Sequence, residues 1–168
     1  FFEEPCSTED IDATLEVTRK SNIPIATGER LVGKYQFREL ISRRACHIIQ
    51  PDLSHCGGLW EARKIASMAE AYSIAVAPHN PNGPIATAVT VHFAAATPNW
   101  FIQEAITSDV PWRNEVVIDP VTVVDGYAEI SHAPGLGIDI NEKEAAKHPF
   151  KPEAMQRYFH PDGSVADW

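Results

Sequence analysis

The sequence lacks several features that define particular classes of protein. It has no run of about 18 apolar residues, the length that a membrane-spanning helix needs, so we expect no membrane partner. It has no basic excess, because 14 lysines and arginines stand against 23 aspartates and glutamates, a formal net charge of −9. Binding to phosphates needs basic side chains, so we expect no nucleic-acid partner.

Cysteine is scarce, and the N-terminus carries no targeting pattern. Cys6, Cys46 and Cys56 form an odd set without zinc-site spacing, which predicts no disulfide framework and a reducing, cytoplasmic location. The first residues show no basic region followed by an apolar core, so we expect no signal peptide. No methionine precedes Phe1, and we therefore expect this chain to continue a longer one.

The composition is that of an ordered globular protein. Hydrophobic residues make up 44% of the chain and charged residues 22%, as is typical of folded domains. A length of 168 residues fits one ordinary domain. It is too short for a complete (β/α)₈ barrel, which takes about 250 residues.

Five short apolar runs recur along the first two-thirds of the chain, and each ends in polar residues. They cover residues 1–2, 23–26, 48–49, 74–77 and 100–102. Continuous apolar runs are typical of parallel strands buried on both faces. Helical patterns separate them: Ser7 and Asp10 have capping-box spacing, and Pro84 suits the first turn of a helix. This alternation predicts a parallel α/β architecture.

The pattern changes at about residue 108. Short strand-like runs follow at 116–118, 121–124 and 127–130, and a short helical segment lies near 142–147. We therefore divide the chain into two regions. Residues 1–107 form a partial (β/α) barrel that carries the site residues at its strand ends, and residues 108–168 form a C-terminal segment.

One polar residue at the end of each apolar run forms the main functional pattern. Successive members are 23 to 27 residues apart, close to the length of one βα unit, roughly 30 residues. We therefore expect them at equivalent positions on the face where barrel active sites are built. They are Glu3, Glu29, Asp52, His79 and Glu104. None is a lysine, so nothing here supports a Schiff-base mechanism.

The residue types at these ends suit proton abstraction beside a metal ion. Glu3 and Glu29 are the kind of oxygen donors that Mg²⁺ prefers. A hydrogen bond between Asp52 and His79 would fix the imidazole tautomer and raise the basicity of its other nitrogen. A protonated Glu104 beside a substrate carboxylate would donate a hydrogen bond to a developing enediolate.

Each of these residues also has a simpler explanation. A strand-end glutamate is often a helix cap or a surface charge, Asp52 suits a helix cap, and His79 suits a packed loop. These explanations account for the residues singly, but not for their matching places in successive units.

Two further motifs leave alternatives open. His55-Cys56 resembles a metal-binding pair, but no second pair stands at ligand spacing, so we favour a loop or helix-start role. Trp112 and Arg113 follow Pro111 in a stretch that either reaches over the mouth of the barrel or forms an interface. The two interpretations carry equal weight, and on the first of them we predict that Trp112 binds substrate.

Several motifs together resemble a known family. They are Phe-Phe-Glu-Glu-Pro at 1–5, Ile-Ala-Thr-Gly-Glu-Arg at 25–30, Ile-Gln-Pro-Asp-Leu-Ser-His-Cys-Gly-Gly at 49–58, Ala-Pro-His-Asn-Pro-Asn-Gly-Pro-Ile-Ala at 77–86, Pro-Gly-Leu-Gly at 134–137 and Asp-Gly-Ser-Val-Ala-Asp-Trp at 162–168. Their combination is similar to the mandelate racemase subgroup of the enolase superfamily, most closely its D-galactonate dehydratases and related acid-sugar dehydratases. The resemblance spans nearly the whole chain.

The resemblance implies a role for each strand-end residue. Glu3 and Glu29 become the metal ligands at the ends of the fourth and fifth barrel strands. Asp52 and His79 become the dyad of the sixth and seventh strands, with His79 as the general base. Glu104, on the eighth strand, becomes the acid that binds the substrate carboxylate, and His79 also contacts substrate.

The resemblance also implies parts that would precede Phe1. An aspartate on the third strand would supply the third Mg²⁺ ligand, and a histidine two residues later would be the general acid. An α+β capping domain would cover the site and pack against the C-terminal segment. The predicted fold is therefore α/β, the C-terminal part of a (β/α) barrel with strands four to eight, plus a segment that returns towards that capping domain.

The implied activity is the Mg²⁺-dependent dehydration of a sugar acid such as galactonate. Removal of the α-proton gives a metal-stabilised enediolate, and loss of the 3-hydroxyl as water gives a 2-keto-3-deoxy acid. Besides this small-molecule substrate, we expect a homo-oligomer or the remainder of a longer chain as partner. If the chain is truncated, we expect it to be inactive alone. The alternatives are a racemase or epimerase of a 2-hydroxy acid, a non-catalytic fragment, and a barrel lyase without metal.

Overall fold

The computed structural model describes residues 1–106, 109–152 and 158–166. Strands and helices alternate in its first part: β1 (Phe2–Glu3), α1 (Ile11–Lys20), β2 (Ile25–Thr27), α2 (Gly33–Ser42), β3 (Ile48–Ile49), α3 (Gly58–Ala71), β4 (Ala75–Val76) and α4 (Pro84–Ala95). The second part contains β5 (Val117–Ile118), β6 (Val123–Val124), β7 (Tyr127–Ala128), β8 (Asp139–Ile140), α5 (Glu142–Ala145), β9 (Tyr158–Phe159) and β10 (Val165–Ala166). The expected boundary at 107/108 lies outside the described residues and stays a prediction.

Strands β1 to β4 form one parallel sheet in chain order. Glu3 pairs with Ala26 across the first two strands, and Ile49 pairs with Val76 across the last two. The fifth expected strand is reduced to one parallel bridge, between Val76 and Trp100. Consecutive parallel strands, each followed by a helix, are the repeating units of a (β/α) barrel, which confirms the predicted α/β class.

The helix starts follow from local chemistry. Asp10 caps α1, because its carboxylate accepts a hydrogen bond from the backbone N–H of Ala13 at 2.8 Å. The expected Ser7–Asp10 capping box was therefore wrong in register, and the Ser7 hydroxyl instead accepts from the backbone of Glu9. Pro84 occupies the first turn of α4, as predicted.

The main core lies between the sheet and the helices α2 and α3. Its fully buried members are apolar side chains spaced three or four apart on each helix, and they include Phe37 and Ile41 on α2 and Ile65 and Ala69 on α3. Burial of each phenylalanine or isoleucine side chain in this set stabilises the fold by about 1.5–3 kcal/mol. The other cluster consists of small or β-branched strand residues, Ala26, Ile48 and Ala77.

Both edges of the parallel sheet expose large apolar side chains. At one edge Phe1 and Phe2 are each 52% exposed, and beyond β4 Phe101 and Ile102 are 55% and 49% exposed. A closed barrel has no such edges, because every strand has two neighbours. Exposed apolar edges on both sides are therefore what an open portion of a barrel presents.

The C-terminal segment is built from small antiparallel pairs. β5 pairs with β8, and β6 with β7. Asp125 and Gly126 form the turn between β6 and β7 with positive φ at both positions, the conformation that a two-residue hairpin requires. The Nε2 atom of His92 on α4 lies 3.1 Å from the carbonyl oxygen of Leu136, so a hydrogen bond joins α4 to the C-terminal segment.

Two further findings concern sequence-based expectations. Within the described ranges, no helix combines the length and the apolarity needed to cross a bilayer. The three cysteines are free thiols. Burial raises the pKa of Cys46 to about 12 and that of Cys56 to about 11, so both are unreactive in the folded state.

Glu61 on α3 joins its own helix to α2. One carboxylate oxygen accepts from the backbone N–H of Lys34 at 3.1 Å and from the Lys34 ammonium at 3.0 Å. The other oxygen accepts from Lys64 at 3.0 Å. These donors, led by the Lys34 backbone N–H, lower the pKa of Glu61 from 4.5 to about 2.

We expect Glu61 to make the contact between α2 and α3 sensitive to acid. Its pKa is lower in the folded than in the unfolded state, so its stabilisation is complete above pH 4.5 and is lost as the pH falls towards 2. Glu61→Gln should therefore lower the urea midpoint at neutral pH, and the difference from wild type should shrink at about pH 3. Glu16→Gln, which removes an exposed pair with Lys20, is the control and should change little at either pH. An equal deficit for Glu61→Gln at both pH values would contradict the assignment.

Candidate functional site

All five strand-end residues follow the carboxyl ends of neighbouring strands. Glu3 ends β1, and Glu29, Asp52 and His79 follow β2, β3 and β4, while Glu104 follows the bridge at Trp100. Because the strands are parallel and neighbouring, these ends lie at one edge of the sheet. The backbone therefore places the five residues along the same edge of the sheet, as expected. The side-chain contacts show which of them lie within hydrogen-bond distance of one another.

Asp52 and His79 form a hydrogen-bonded pair. The Nδ1 atom of His79 lies 2.9 Å from the Oδ2 atom of Asp52. A carboxylate only accepts, so Nδ1 donates in this contact. The other ring nitrogen, Nε2, lies 3.4 Å from the Oε2 atom of Glu29. The predicted hydrogen bond between Asp52 and His79 is therefore present, and Nε2 faces one of the predicted metal ligands, while the catalytic role of the pair stays a prediction.

Asp52 is buried, and hydrogen bonds hold its orientation. Its Oδ1 accepts from the backbone N–H of Ser54 at 2.7 Å, and its Oδ2 accepts from the side-chain amide of Asn82 at 2.8 Å. These donors hold the carboxylate in one orientation, and the carboxylate in turn fixes the direction of the His79 ring.

Glu29 lies among several carboxylates. Burial is the largest cause that raises its pKa, His79 lowers it, and Glu4, Glu3 and Glu104 each raise it by repulsion. Glu29 therefore receives the combined repulsion of three carboxylates, two of which, Glu3 and Glu104, are predicted site residues.

Glu3 is held by a residue that the sequence did not single out. The Gln50 side chain donates from Nε2 to the Oε1 atom of Glu3 at 2.5 Å. Gln50 is itself buried, and within the described part of the chain its Oε1 has no hydrogen-bond partner. An amide donor to a carboxylate restricts its rotation, so Gln50 sets the position of the predicted ligand.

Glu4, next to Glu3, ties β1 to the turn after β2. It accepts from the Thr27 hydroxyl at 3.0 Å, from the Gly28 backbone at 3.4 Å and from Arg30 at 3.2 Å. Gly28 has a φ of +128°, and a Cβ there would lie 2.9 Å from the buried Phe37 ring. Only glycine fits this turn, which presents the following Glu29 to the site.

The donors suit a hard divalent cation in chemical type. Glu3 and Glu29 supply carboxylate oxygens, and a bound cation would offset the repulsion that Glu29 receives from its neighbours. Among the described residues, no three histidine, cysteine, aspartate or glutamate side chains form a cluster that could hold a metal ion. The two glutamates thus fit as part of a ligand set, and metal binding stays a prediction.

Glu104 is held by the residue after His79. Its Oε2 accepts from the backbone N–H of Asn80 at 2.6 Å, and the Asn80 side chain donates to the Glu104 carbonyl at 3.2 Å. The same amide donates to Thr87 at 3.1 Å. Asn80 is fully buried. Its hydrogen bonds to Glu104 join the segment after β4 to the segment after the bridge at Trp100. Substrate binding by Glu104 and His79 stays a prediction.

Trp112 and Arg113 make different contacts. The Trp112 ring stacks on His148, with centroids 4.1 Å apart and planes 16° from parallel. Arg113 is buried, pairs with Asp109 through two 3.0 Å hydrogen bonds and donates to the backbone carbonyl of Asn82. Trp112 thus packs within the C-terminal segment, while Arg113 reaches the loop that follows His79. Substrate binding by Trp112 stays a prediction.

An open cleft of about 340 Å³ lies over the dyad. It is lined by Glu29, Arg30, Asp52, Ser54, His55, His79 and Asn82. This is at the lower end of the size range for small-molecule sites, roughly 300–1,000 Å³. His55 lies at the cleft just before α3, whereas its neighbour Cys56 is fully buried, so the pair does not act as one unit.

Sequence reasoning gave no role to three amides that support the site, and it named Arg113 without its partner. The amides are Gln50, Asn80 and Asn82, and Gln50, Asn80 and Arg113 are buried. All three amides lie within three residues of a predicted site residue, and an amide in such a place is a detectable sequence pattern. Arg113 lies 31 residues beyond the carbonyl that it contacts, so no local pattern indicates its role.

The sequence of this chain is similar to the sequences of known enzymes. A D-galactonate dehydratase of Pectobacterium atrosepticum is 38% identical over 178 residues, and one of Ralstonia nicotianae is 35% identical over 176. Each alignment covers 100% of this chain but 46% of the relative. The chain therefore spans about half the length of the relatives it matches.

Solved structures agree as well. An enolase of Agrobacterium radiobacter, a candidate galactarate dehydratase with bound Na and L-malate, superposes with a TM-score of 0.91 at 37% identity, over 98% of this chain and 45% of that one. A mandelate racemase/muconate lactonizing enzyme of Jannaschia sp. CCS1 gives 0.85 at 36% identity, over 91% and 39%. The enolase C-terminal domain-like family matches residues 1–144. The predicted resemblance is confirmed: this chain belongs to the enolase C-terminal domain-like family.

Proposed function

We propose that this chain carries the proton-abstracting half of an acid-sugar dehydratase site. The observation that carries the proposal is the hydrogen bond between Asp52 and the Nδ1 atom of His79. The other ring nitrogen of His79, Nε2, lies beside Glu29 at the edge of a parallel sheet. The relatives named D-galactonate dehydratase support the substrate class, a small polyhydroxy acid. The reaction removes water from a sugar acid and gives a 2-keto-3-deoxy acid.

His79 acts as the general base in this proposal. Its Nε2 has a lone pair and borders the open cleft, and it takes the proton from the carbon next to the substrate carboxylate. The imidazolium that forms is stabilised by Asp52, which also keeps the ring in place. Proton transfer by a positioned side chain of this kind contributes roughly 10²–10⁴-fold to the rate.

Glu3 and Glu29 would hold Mg²⁺ here. When bound, the cation supplies a Lewis acid that makes the α-proton of a carboxylic acid easier to remove. The two glutamates then bind positive charge in a position bordered by His79 and the cleft. The further ligand that the family resemblance implies is an aspartate upstream of Phe1.

Glu104 would bind the substrate carboxylate opposite the glutamate ligands. Its carboxyl group is fixed by the Asn80 backbone at one oxygen, which leaves the other oxygen for substrate. Once the α-proton has moved to His79, the C2–H electron pair forms the C2=C3 bond, and the 3-hydroxyl leaves as water after it receives a proton from the general acid, the histidine that the family resemblance implies upstream of Phe1. The enol product then tautomerises to the 2-keto acid.

Loss of the base should remove turnover. We expect His79→Asn to lower the rate of 2-keto acid formation by roughly 10²–10⁴-fold, because asparagine cannot accept the α-proton. The measurement is product formation from acid sugars in D₂O, followed by NMR, in the protein as isolated. His132→Asn, at an exposed position of the C-terminal segment, is the matched control and should keep full activity.

The same NMR experiment tests the alternative reactions. Exchange of the α-proton with the 3-hydroxyl retained would indicate a racemase or epimerase and contradict dehydration. Equal losses in both histidine variants would contradict the role of His79. A wild-type protein that neither exchanges the proton nor releases water would favour the non-catalytic alternative.

The two glutamates should make the protein sensitive to Mg²⁺. A ligand that binds only the folded state raises its stability, by about 2.7 kcal/mol at 100 times the Kd, so we expect Mg²⁺ to raise the thermal midpoint. Glu29→Gln removes one charge donor and should weaken Mg²⁺ binding at least about tenfold by titration calorimetry. Glu16→Gln is the control, because Glu16 is exposed on α1 and pairs with Lys20. The same Mg²⁺ affinity in all three proteins would contradict the assignment.

A further inference from the structure

Asn82 shares an oxygen of Asp52 with the histidine. The Asn82 side-chain amide donates to Oδ2 at 2.8 Å, and the same Oδ2 lies 2.9 Å from the Nδ1 atom of His79. Two donors that meet at one oxygen fix its direction more tightly than either does alone. The amide of Asn82 is therefore part of what orients the imidazole.

The loop that carries Asn82 has few backbone N–H groups that could donate hydrogen bonds. Pro81 and Pro84 stand on either side of Asn82, and proline has no N–H to donate. A loop of this composition needs contacts from outside to hold one conformation. Such a contact comes from the C-terminal segment.

Arg113 supplies that contact. Its guanidinium donates to the backbone carbonyl of Asn82, and its other side forms two 3.0 Å hydrogen bonds with the Asp109 carboxylate. Arg113 is only 6% exposed, so its guanidinium is shielded from water, while the Asp109 carboxylate is 41% exposed. The planar guanidinium fork gives both bonds fixed directions, which an ammonium group does not.

We propose that Asn82 and Arg113 are positioning residues for the general base. Arg113 fixes the Asn82 carbonyl, this fixes the direction of the Asn82 amide, and the amide together with Asp52 aims His79 at the substrate. The C-terminal segment thereby takes part in the chemistry of the barrel portion without touching the reacting atoms. This inference rests on the proposed role of His79 as base.

The sharpest test of Asn82 is a change that preserves its shape. Asn82→Asp is nearly isosteric, but it cannot donate to Asp52 and adds a second negative charge beside it. We expect kcat to fall by roughly 10–100-fold with KM within about twofold, because a misaimed base slows the chemical step more than binding. Asn82→Ala should fall in the same range. If Asn82 serves only to shape the turn, Asn82→Asp will behave like wild type, and the proposal is overturned.

The role of Arg113 is tested by comparing its variants with a variant of Arg43, which also forms ion pairs. We expect Arg113→Ala to reduce kcat in the same manner as Asn82→Ala, and Arg113→Lys to recover only part of it. The double variant should lose little more than either single variant, because both act through one contact chain. Arg43→Ala is the control: Arg43 pairs with Glu39 and Asp12 at the end of α2, away from the strand ends. Equal kcat losses in both arginine variants, or additive losses in the double variant, would overturn the proposal.

A spectroscopic measurement separates this proposal from the proposed function. Proton and nitrogen NMR of ring-labelled histidine at one fixed pH reports the hydrogen-bonded Nδ1–H of His79. We expect this resonance to shift or disappear in Asn82→Asp and Arg113→Ala and to persist in Arg43→Ala. If the wild type turns over no acid sugar while these shifts occur, the proposed function fails and the positioning stands. An unchanged resonance in both site variants overturns the positioning itself.

Discussion

Parallel pairing of β1 to β4 in chain order is the constraint on which the site depends. Each strand contributes only two or three paired residues, yet the pairing fixes which end of every strand faces the same edge. The helices α2 and α3 hold this sheet by burying their apolar stripes against it. Residues far apart in sequence, such as Glu29 and His79, thereby come within 3.4 Å. A change of register by one residue would reverse the direction of each side chain and separate the pair.

Several carboxylates at one edge repel each other, and each is stabilised in a different way. Glu4 pairs with Arg30, Asp52 receives backbone and amide donors, and Glu104 receives a backbone N–H. Glu29 faces His79, and its pKa is raised first by burial and then by repulsion from Glu4, Glu3 and Glu104. A bound cation would offset this repulsion, which is the physical reason why we propose a cation at Glu29.

The parts of the fold that local chemistry determines were predictable. Apolar runs followed by helical stripes indicated the βα units, Pro84 marked the start of α4, and the strand-end polar residues converged as expected. A prediction was wrong where two nearby residues suit the same structural role equally well. Ser7 and Asp10 both suit a helix cap, and the folded chain uses Asp10, with Ile11 packed against the core as the first residue of the helix.

The roles of the supporting amides and the partner of Arg113 were not predicted, for a different physical reason. A metal ligand or a base is indicated by its own chemistry, whereas a positioning residue is defined only by its partner. Asn82 is the middle of a turn in the sequence, and its role exists only because Asp52 arrives from a strand 30 residues earlier. Arg113 then contacts a backbone carbonyl, a group that every residue has, so its partner leaves no trace in the sequence. The residue types at the strand ends therefore predict the chemistry of a barrel site. The orientation of those side chains depends on long-range contacts that exist only in the folded chain.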